Sequence, residues 1–185
     1  PSYSYDLSAD YSAASNDIRH SLSFNGSYEL PFRFRISPSF SYNSGRPFNI
    51  TTGADTNRDS IFNDRPTYAQ LGAICAARAL TAGFCSFQSP DQPDQAIIPR
   101  NFGRTPSNVT LDLRLNKSFV FTKEKSRTYN LVVGLNARNV LNRTNAGAPI
   151  GNMSSNRFGQ VFSTMGNGFG GTANRRIELN VRFNF

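Results

Sequence analysis

The stretch Ile177-Glu178-Leu179-Asn180-Val181-Arg182-Phe183-Asn184-Phe185 alternates apolar and polar residues without a break. Ile177, Leu179, Val181, Phe183 and Phe185 fall on one face, and Glu178, Asn180, Arg182 and Asn184 on the other. Successive side chains of a strand point to opposite sides, so a strict period of two predicts a β-strand with two chemically opposite faces. Chain ends are usually loose. A strand with one face in lipid and the other in a polar lumen needs this pattern.

Four more segments repeat the alternation. Ile18–Leu30 sets Ile18, Leu22, Phe24, Tyr28 and Leu30 against Ser21, Ser23, Asn25, Ser27 and Glu29. Phe34–Tyr42 sets Phe34, Ile36, Phe40 and Tyr42 against Arg35, Ser37, Ser39 and Ser41. Val109–Phe121 and Tyr129–Ala137 follow the same rule. The runs match the roughly 9–11 residues that cross a bilayer at a barrel's tilt and exceed the 5–6 or so of ordinary globular strands. The predicted strands lie near 18–30, 34–50, 106–121, 128–141 and 175–185. Pro38 cannot donate to a ladder, so it predicts a bulge or an edge position in the second strand.

Charge sorting fits this reading. Glu29, Arg35, Asp112, Arg114, Arg138, Glu178 and Arg182 fall on the polar face. An arginine on a lipid face at the midplane would cost about 2–4 kcal/mol. Lys117, on the apolar face, is placed near a strand end, where a long side chain can snorkel to the interface. A soluble sheet with one solvated face predicts the same sorting; strand length and the terminal aromatic favour the membrane.

Composition agrees. Hydrophobic residues make up 38% of the 185-residue chain, below the usual 45–50% or so, and a barrel wall needs them only outside. No run approaches the 18 or so apolar residues of a membrane helix. The net charge of +8 comes from scattered residues with no basic block, which argues against nucleic acid. No leader sequence opens the chain, which is expected to be a piece of a longer one.

The connections are lopsided. Short turns near Pro31 and at Thr122–Arg127 alternate with long loops near 53–104 and 143–173. Outer-membrane barrels have short periplasmic turns and long extracellular loops. Tyr28, Phe32, Phe34, Phe119, Phe121, Tyr129, Phe183 and Phe185 gather at the short-turn ends as one interfacial girdle. Membrane barrels begin at about eight strands, so this chain is expected to be the closing part of a larger one.

Within the first long loop, Asp55, Asn57, Asp59 and Asp64 place oxygen ligands at spacings suited to a hard cation such as Ca²⁺. Ser60 stands where glycine is expected and Pro66 where glutamate is, and the alternative is an Asx-rich turn that satisfies its own backbone. Cys75 and Cys85 predict a local disulfide in an oxidising compartment. Leu71–Leu80 can form a short helix, and Gly166–Gly171 a flexible loop. His20 stands alone, so neither a zinc site nor a catalytic triad has the residues it needs. No enzyme and no obligatory cofactor are expected. Lumen candidates for ligand contact are Arg35, Asp112, Arg114, Arg138, Glu178 and Arg182, whose arginine excess favours anionic or polar solutes.

Several stretches resemble the late barrel region of TonB-dependent receptors, closest to the Oar-like group bearing a carboxypeptidase-regulatory domain. They are Ser44-Gly45-Arg46-Pro47-Phe48-Asn49-Ile50 followed by Asp55 and Asn63-Asp64-Arg65-Pro66; Asp17-Ile18-Arg19-His20 leading into Gly26–Phe32; Asn139-Val140-Leu141-Asn142-Arg143-Thr144-Asn145; and Arg175–Phe185. Pro38 and Ser60 depart from the pattern. The resemblance implies a plugged barrel of about 22 strands in the outer membrane of a Gram-negative bacterium, importing a solute with energy relayed by TonB. It also implies that plug and TonB contact lie in a missing N-terminal region, and that Phe183 and Phe185 form part of the signal read by the barrel-assembly machinery. The competing expectations are a passive porin or adhesin-type barrel and a soluble β-sheet binding module.

Overall fold

The computed structural model describes residues 7, 10–123, 127–165 and 174–185. The expected turn centre at 124–126 and the glycine-rich segment at 166–171 lie outside the described residues. In chain order the elements are β1 (Ser21–Asn25), β2 (Tyr28–Leu30), β3 (Phe34–Asn43), β4 (Pro47–Phe48), α1 (Tyr68–Ala77), β5 (Gly103–Arg104), β6 (Asn108–Lys123), β7 (Arg127–Arg138) and β8 (Arg176–Asn184). They fall into two compact units. A sheet unit holds His20–Ser44, Ser107–Asn145 and Thr164–Phe185, and a loop unit holds Pro1–Arg19, Gly45–Pro106 and Ala146–Ser163.

The sheet unit is antiparallel throughout, in the order β1-β3-β6-β7-β8 with β2 also on β3, and it is not closed. Register aligns the apolar residues in rows. Tyr28, Ile36, Leu115, Leu135 and Leu179 stand side by side across the sheet. The row above runs Leu30, Phe34, Lys117, Val133 and Val181. One step along each strand, the opposite face aligns Ser37, Arg114, Asn136 and Glu178. A slip of one residue would send every one of these side chains to the wrong face. Gly134 sits where an added Cβ would come within 2.5 Å of Asn116 Oδ1 and 2.4 Å of Asn180 Oδ1, so glycine lets the two amides close over the strand.

Several boundaries differ from expectation. The first strand is interrupted at Gly26-Ser27, although β1 and β2 keep one common register on β3. Pro38 is the cause. Its carbonyl accepts from the Gly26 N–H at 3.1 Å, but proline has no N–H to return. The expected bulge or edge position is therefore corrected: β3 is an interior strand, and its register with β6 is unbroken from Phe34 to Asn43. The second strand ends at Asn43 rather than 50, and Pro47–Phe48 pairs with Gly103–Arg104 in a separate small sheet. β7 stops at Arg138 rather than 141, because Asn139 and Asn142 take positive φ of 48° and 50°. β6 runs on to Lys123, so Lys117 is not near that strand's end.

The loop unit has its own core of Ile50, Leu71, Cys75, Phe84, Ile98 and Phe158. Phe84 packs edge-on against Phe48 and Phe158, with ring centroids 5.7 and 5.6 Å away. The helix covers 68–77 rather than 71–80, because Thr67 and Gln70 form a capping box three residues earlier. The expected disulfide joins Cys75 to Cys85 and ties the helix to the turn at Gly83–Cys85.

Replacing Pro38 by valine restores a donor opposite Gly26. The expected result is a new hydrogen-exchange-protected amide at position 38 and a gain of about 1 kcal/mol in unfolding from micelles. The double variant Cys75→Ser/Cys85→Ser should lose about 3 kcal/mol from the loop unit, seen as faster proteolysis within 68–98.

Candidate functional site

The polar face of the sheet unit carries the chemistry predicted for it. Asn25, Ser37, Ser39, Asp112, Arg114, Asn136 and Arg138 line a groove of ≈ 390 Å³. Arg114 Nε donates to Asn136 Oδ1 at 2.9 Å, a cross-strand bond that fixes the guanidinium plane. Ser39 Oγ donates to Asn25 Oδ1 at 2.6 Å. Arg35 pairs with Glu29 across β2 and β3. Glu178 lies 2.8 Å from Arg176 and 4.0 Å from Arg138.

Three candidates therefore take part in ion pairs: Arg35, Arg138 and Glu178. Asp112 pairs with no arginine among the described residues. It accepts the Asn139 backbone N–H at 2.8 Å, which fixes the chain as it leaves β7. Arg114 and Arg182 have no ion-pair partner among the described residues. The groove thus mixes hydroxyl, amide and carboxylate groups with one unneutralised guanidinium at Arg114. Such a surface can hold a polar solute through many modest hydrogen bonds, and an anionic group through Arg114.

The candidate cation residues sit in a hydrogen-bonded turn of the loop unit. Asp55 accepts from the Asp59 and Ser60 amides at 3.1 and 2.9 Å. Asn57 Oδ1 accepts from the Asp59 amide at 3.1 Å, and Asp59 Oδ1 from the Ile61 amide at 2.8 Å. Asp64 Oδ2 accepts from the Thr56 amide and hydroxyl and the Asn57 amide, at 2.5, 2.6 and 3.1 Å. No group of three His, Cys, Asp or Glu side chains is arranged to hold a metal among the described residues. These oxygens instead hold Arg58 and Ser60 at positive φ of 59° and 67°.

Residues that sequence reading assigned to a motif now have structural roles. Asp64, Arg65 and Pro66 are all buried, and Arg65 meets Asp10 at 3.2 Å. An added Cβ on Gly45 would lie 1.7 Å from the Thr105 carbonyl, so only glycine lets the chain cross there. Asn139 and Asn145, which sequence reading left without a role, use side-chain amides as backbone mimics. Asn145 accepts from the Val109 N–H at 2.9 Å and donates to its carbonyl at 3.0 Å. Asn139 does the same for Arg143, at 3.1 and 3.0 Å. Their burial amid a polar stretch is not visible in sequence.

Burial pushes the Asp64 carboxyl up, but the hydrogen bonds from Thr56 and Asn57 outweigh it and hold it below the ordinary carboxylate range. A group whose folded pKa is lowered adds stability above its unfolded value and loses it as pH falls through the folded one. The loop unit should therefore lose protease resistance below about pH 4. Asp64→Asn should cost about 1–3 kcal/mol at neutral pH and remove that acid dependence.

The family model described as "Outer membrane beta barrel domain" matches residues 1–178. No curated protein and no solved structure matches the chain. In such a domain the apolar face of each strand meets lipid and the polar face turns to the lumen. The chain belongs to the outer membrane β-barrel domain family, and its place is the outer membrane of a Gram-negative bacterium.

Proposed function

We propose that this chain is the closing portion of a TonB-dependent outer-membrane transporter, and that it has no catalytic role. The observation that carries the reading is the construction of the two long connections. Both leave the sheet at the same end of its strands, where Asn43 stands opposite Asn108 and Arg138 opposite Arg176. Together they build a folded, disulfide-tied body with an internal core. A barrel importing a scarce solute needs a shaped outer surface to capture it. The residues by which the sequence resembles these receptors, Gly45 and Asp64-Arg65-Pro66, are those that hold this body together.

In this reading the long connections are extracellular and the short turns periplasmic. The open edges of β1 and β8 pair with further strands, because lipid tolerates no unpaired ladder. A plug domain and a TonB-contacting segment belong to the whole receptor. Phe183 and Phe185, at the short-turn end of β8, present an aromatic strand end to the barrel-assembly machinery. Phe183 stacks on Tyr129 at 6.0 Å and on Phe185 at 6.2 Å. Arg114 gives the lumen wall its contact for an anionic or polar solute.

The whole protein in a planar bilayer bathed in KCl should be closed, and ligand accumulation in cells should stop when the proton gradient is dissipated. Steady ohmic conductance with energy-independent uptake would replace this reading with a passive porin.

A further inference from the structure

Lys117 stands within the apolar rows of the sheet, between Phe34 on β3 and Val133 on β7, whereas the charged residues Lys123 and Arg127 of the same face pair at the last register position of β6 and β7. It is not loose. Its Nζ donates to the Phe32 carbonyl and lies 4.3 Å from the Phe34 ring centroid and 5.4 Å from that of Phe119. The carbonyl contact uses one of the three ammonium donors. An ammonium in such a position costs several kcal/mol unless it reaches the interface or a counter-charge.

A shallow groove of ≈ 300 Å³ lies at this point, lined by Phe32, Arg33, Lys117, Phe119 and Phe121 together with Ser118 and Val120. The turn fixes Arg33 there, with Phe32 and Arg33 both at positive φ, 62° and 61°. Non-glycine residues adopt that region at a cost, and here it brings a second cation beside the first. The β3 ladder ends at Phe34 opposite Lys117, whereas β6 continues to Lys123. The polar groups of Pro38 face Gly26. By alternation those of Arg35, Ser37 and Ser39 face Asn116, Arg114 and Asp112, so the amides of Ser118 and Val120 point to the same side, past the end of β3. Two cations and two strand amides thus converge within a ring of aromatics.

We propose that this groove is a phospholipid site: Lys117 and Arg33 bind the phosphate of a glycerophospholipid, with its acyl chains lying along the apolar rows. The chemistry is that of a phosphate mono- or diester. Free phosphate is disfavoured as the source because Phe119 and Phe121 of the apolar face line the groove beside the two cations. By the orientation proposed above, the lipid belongs to the periplasmic leaflet. The site depends only on the barrel and its orientation, not on TonB-dependent transport.

The test uses the whole protein in nanodiscs of zwitterionic lipid, with phosphatidylglycerol, lipid A or inorganic phosphate added, and native mass spectrometry as readout. Phosphatidylglycerol should be retained by the unmodified protein. Retention should fall about tenfold or more in Lys117→Met/Arg33→Gln and return in Lys117→Arg/Arg33→Lys. Ser23→Ala, on the opposite face, should leave it unchanged. Equal retention in the Met/Gln variant, or protection by inorganic phosphate alone, would overturn the proposal. Preference for lipid A would overturn the leaflet. If the Met/Gln variant does not fold, a photoreactive phosphatidylglycerol headgroup should label residues 32–33 or 117–121 of the unmodified protein, and labelling only elsewhere would overturn the site.

Discussion

Backbone hydrogen bonding in a medium without water is the constraint on which everything else rests. In hydrocarbon an unpaired N–H or C=O costs several kcal/mol, so the wall must be a continuous ladder. Four strand interfaces supply it here, β1/β2 with β3, β3 with β6, β6 with β7 and β7 with β8, each in a single register. Register then fixes which side chains meet lipid. Leu22, Leu179 and Val181, 60%, 70% and 62% exposed on the sheet, would be a liability in water. In a bilayer each contributes about 1.5–3 kcal/mol by leaving water.

The two places where the ladder fails are informative because the rule is so strict. At Pro38 the missing donor splits one strand into β1 and β2 without shifting register. At the end of β3 the longer β6 is left with an open side, and there Lys117, a charge within the apolar rows, is held by a carbonyl and two rings. Both irregularities sit on the lipid side or face its edge. The polar face is by contrast fully ordinary, with cross-strand pairs such as Arg114 with Asn136 and Arg35 with Glu29.

The loop unit obeys different physics. It is stabilised by burial around Phe84 and Phe158, by the Cys75–Cys85 bridge and by side-chain oxygens that replace backbone partners. Asp55, Asn57, Asp59 and Asp64 are spaced like cation ligands, yet the amides of Asp59, Ser60 and Ile61 in the same turn, and those of Thr56 and Asn57 at its start, donate to the oxygens. Spacing in sequence counts ligands; it does not show what those oxygens already accept.

The five alternating segments by themselves pointed to the strands and their two faces, because period two is a local property that the pleat imposes on every residue; the length of the runs and the aromatic end pointed to the outer membrane as their setting. The spacing of Cys75 and Cys85 likewise pointed to their bridge. Only the tertiary structure decided what Pro38 does, because the direction of its nitrogen depends on which strand lies on that side. Only it showed that Asp112 caps a turn while Glu178 pairs with arginines, since both are polar-face acids in sequence and differ only in their neighbours. Lys117 shows the division most clearly: its place in the apolar row was legible, but its surroundings depend on β3 ending where β6 does not.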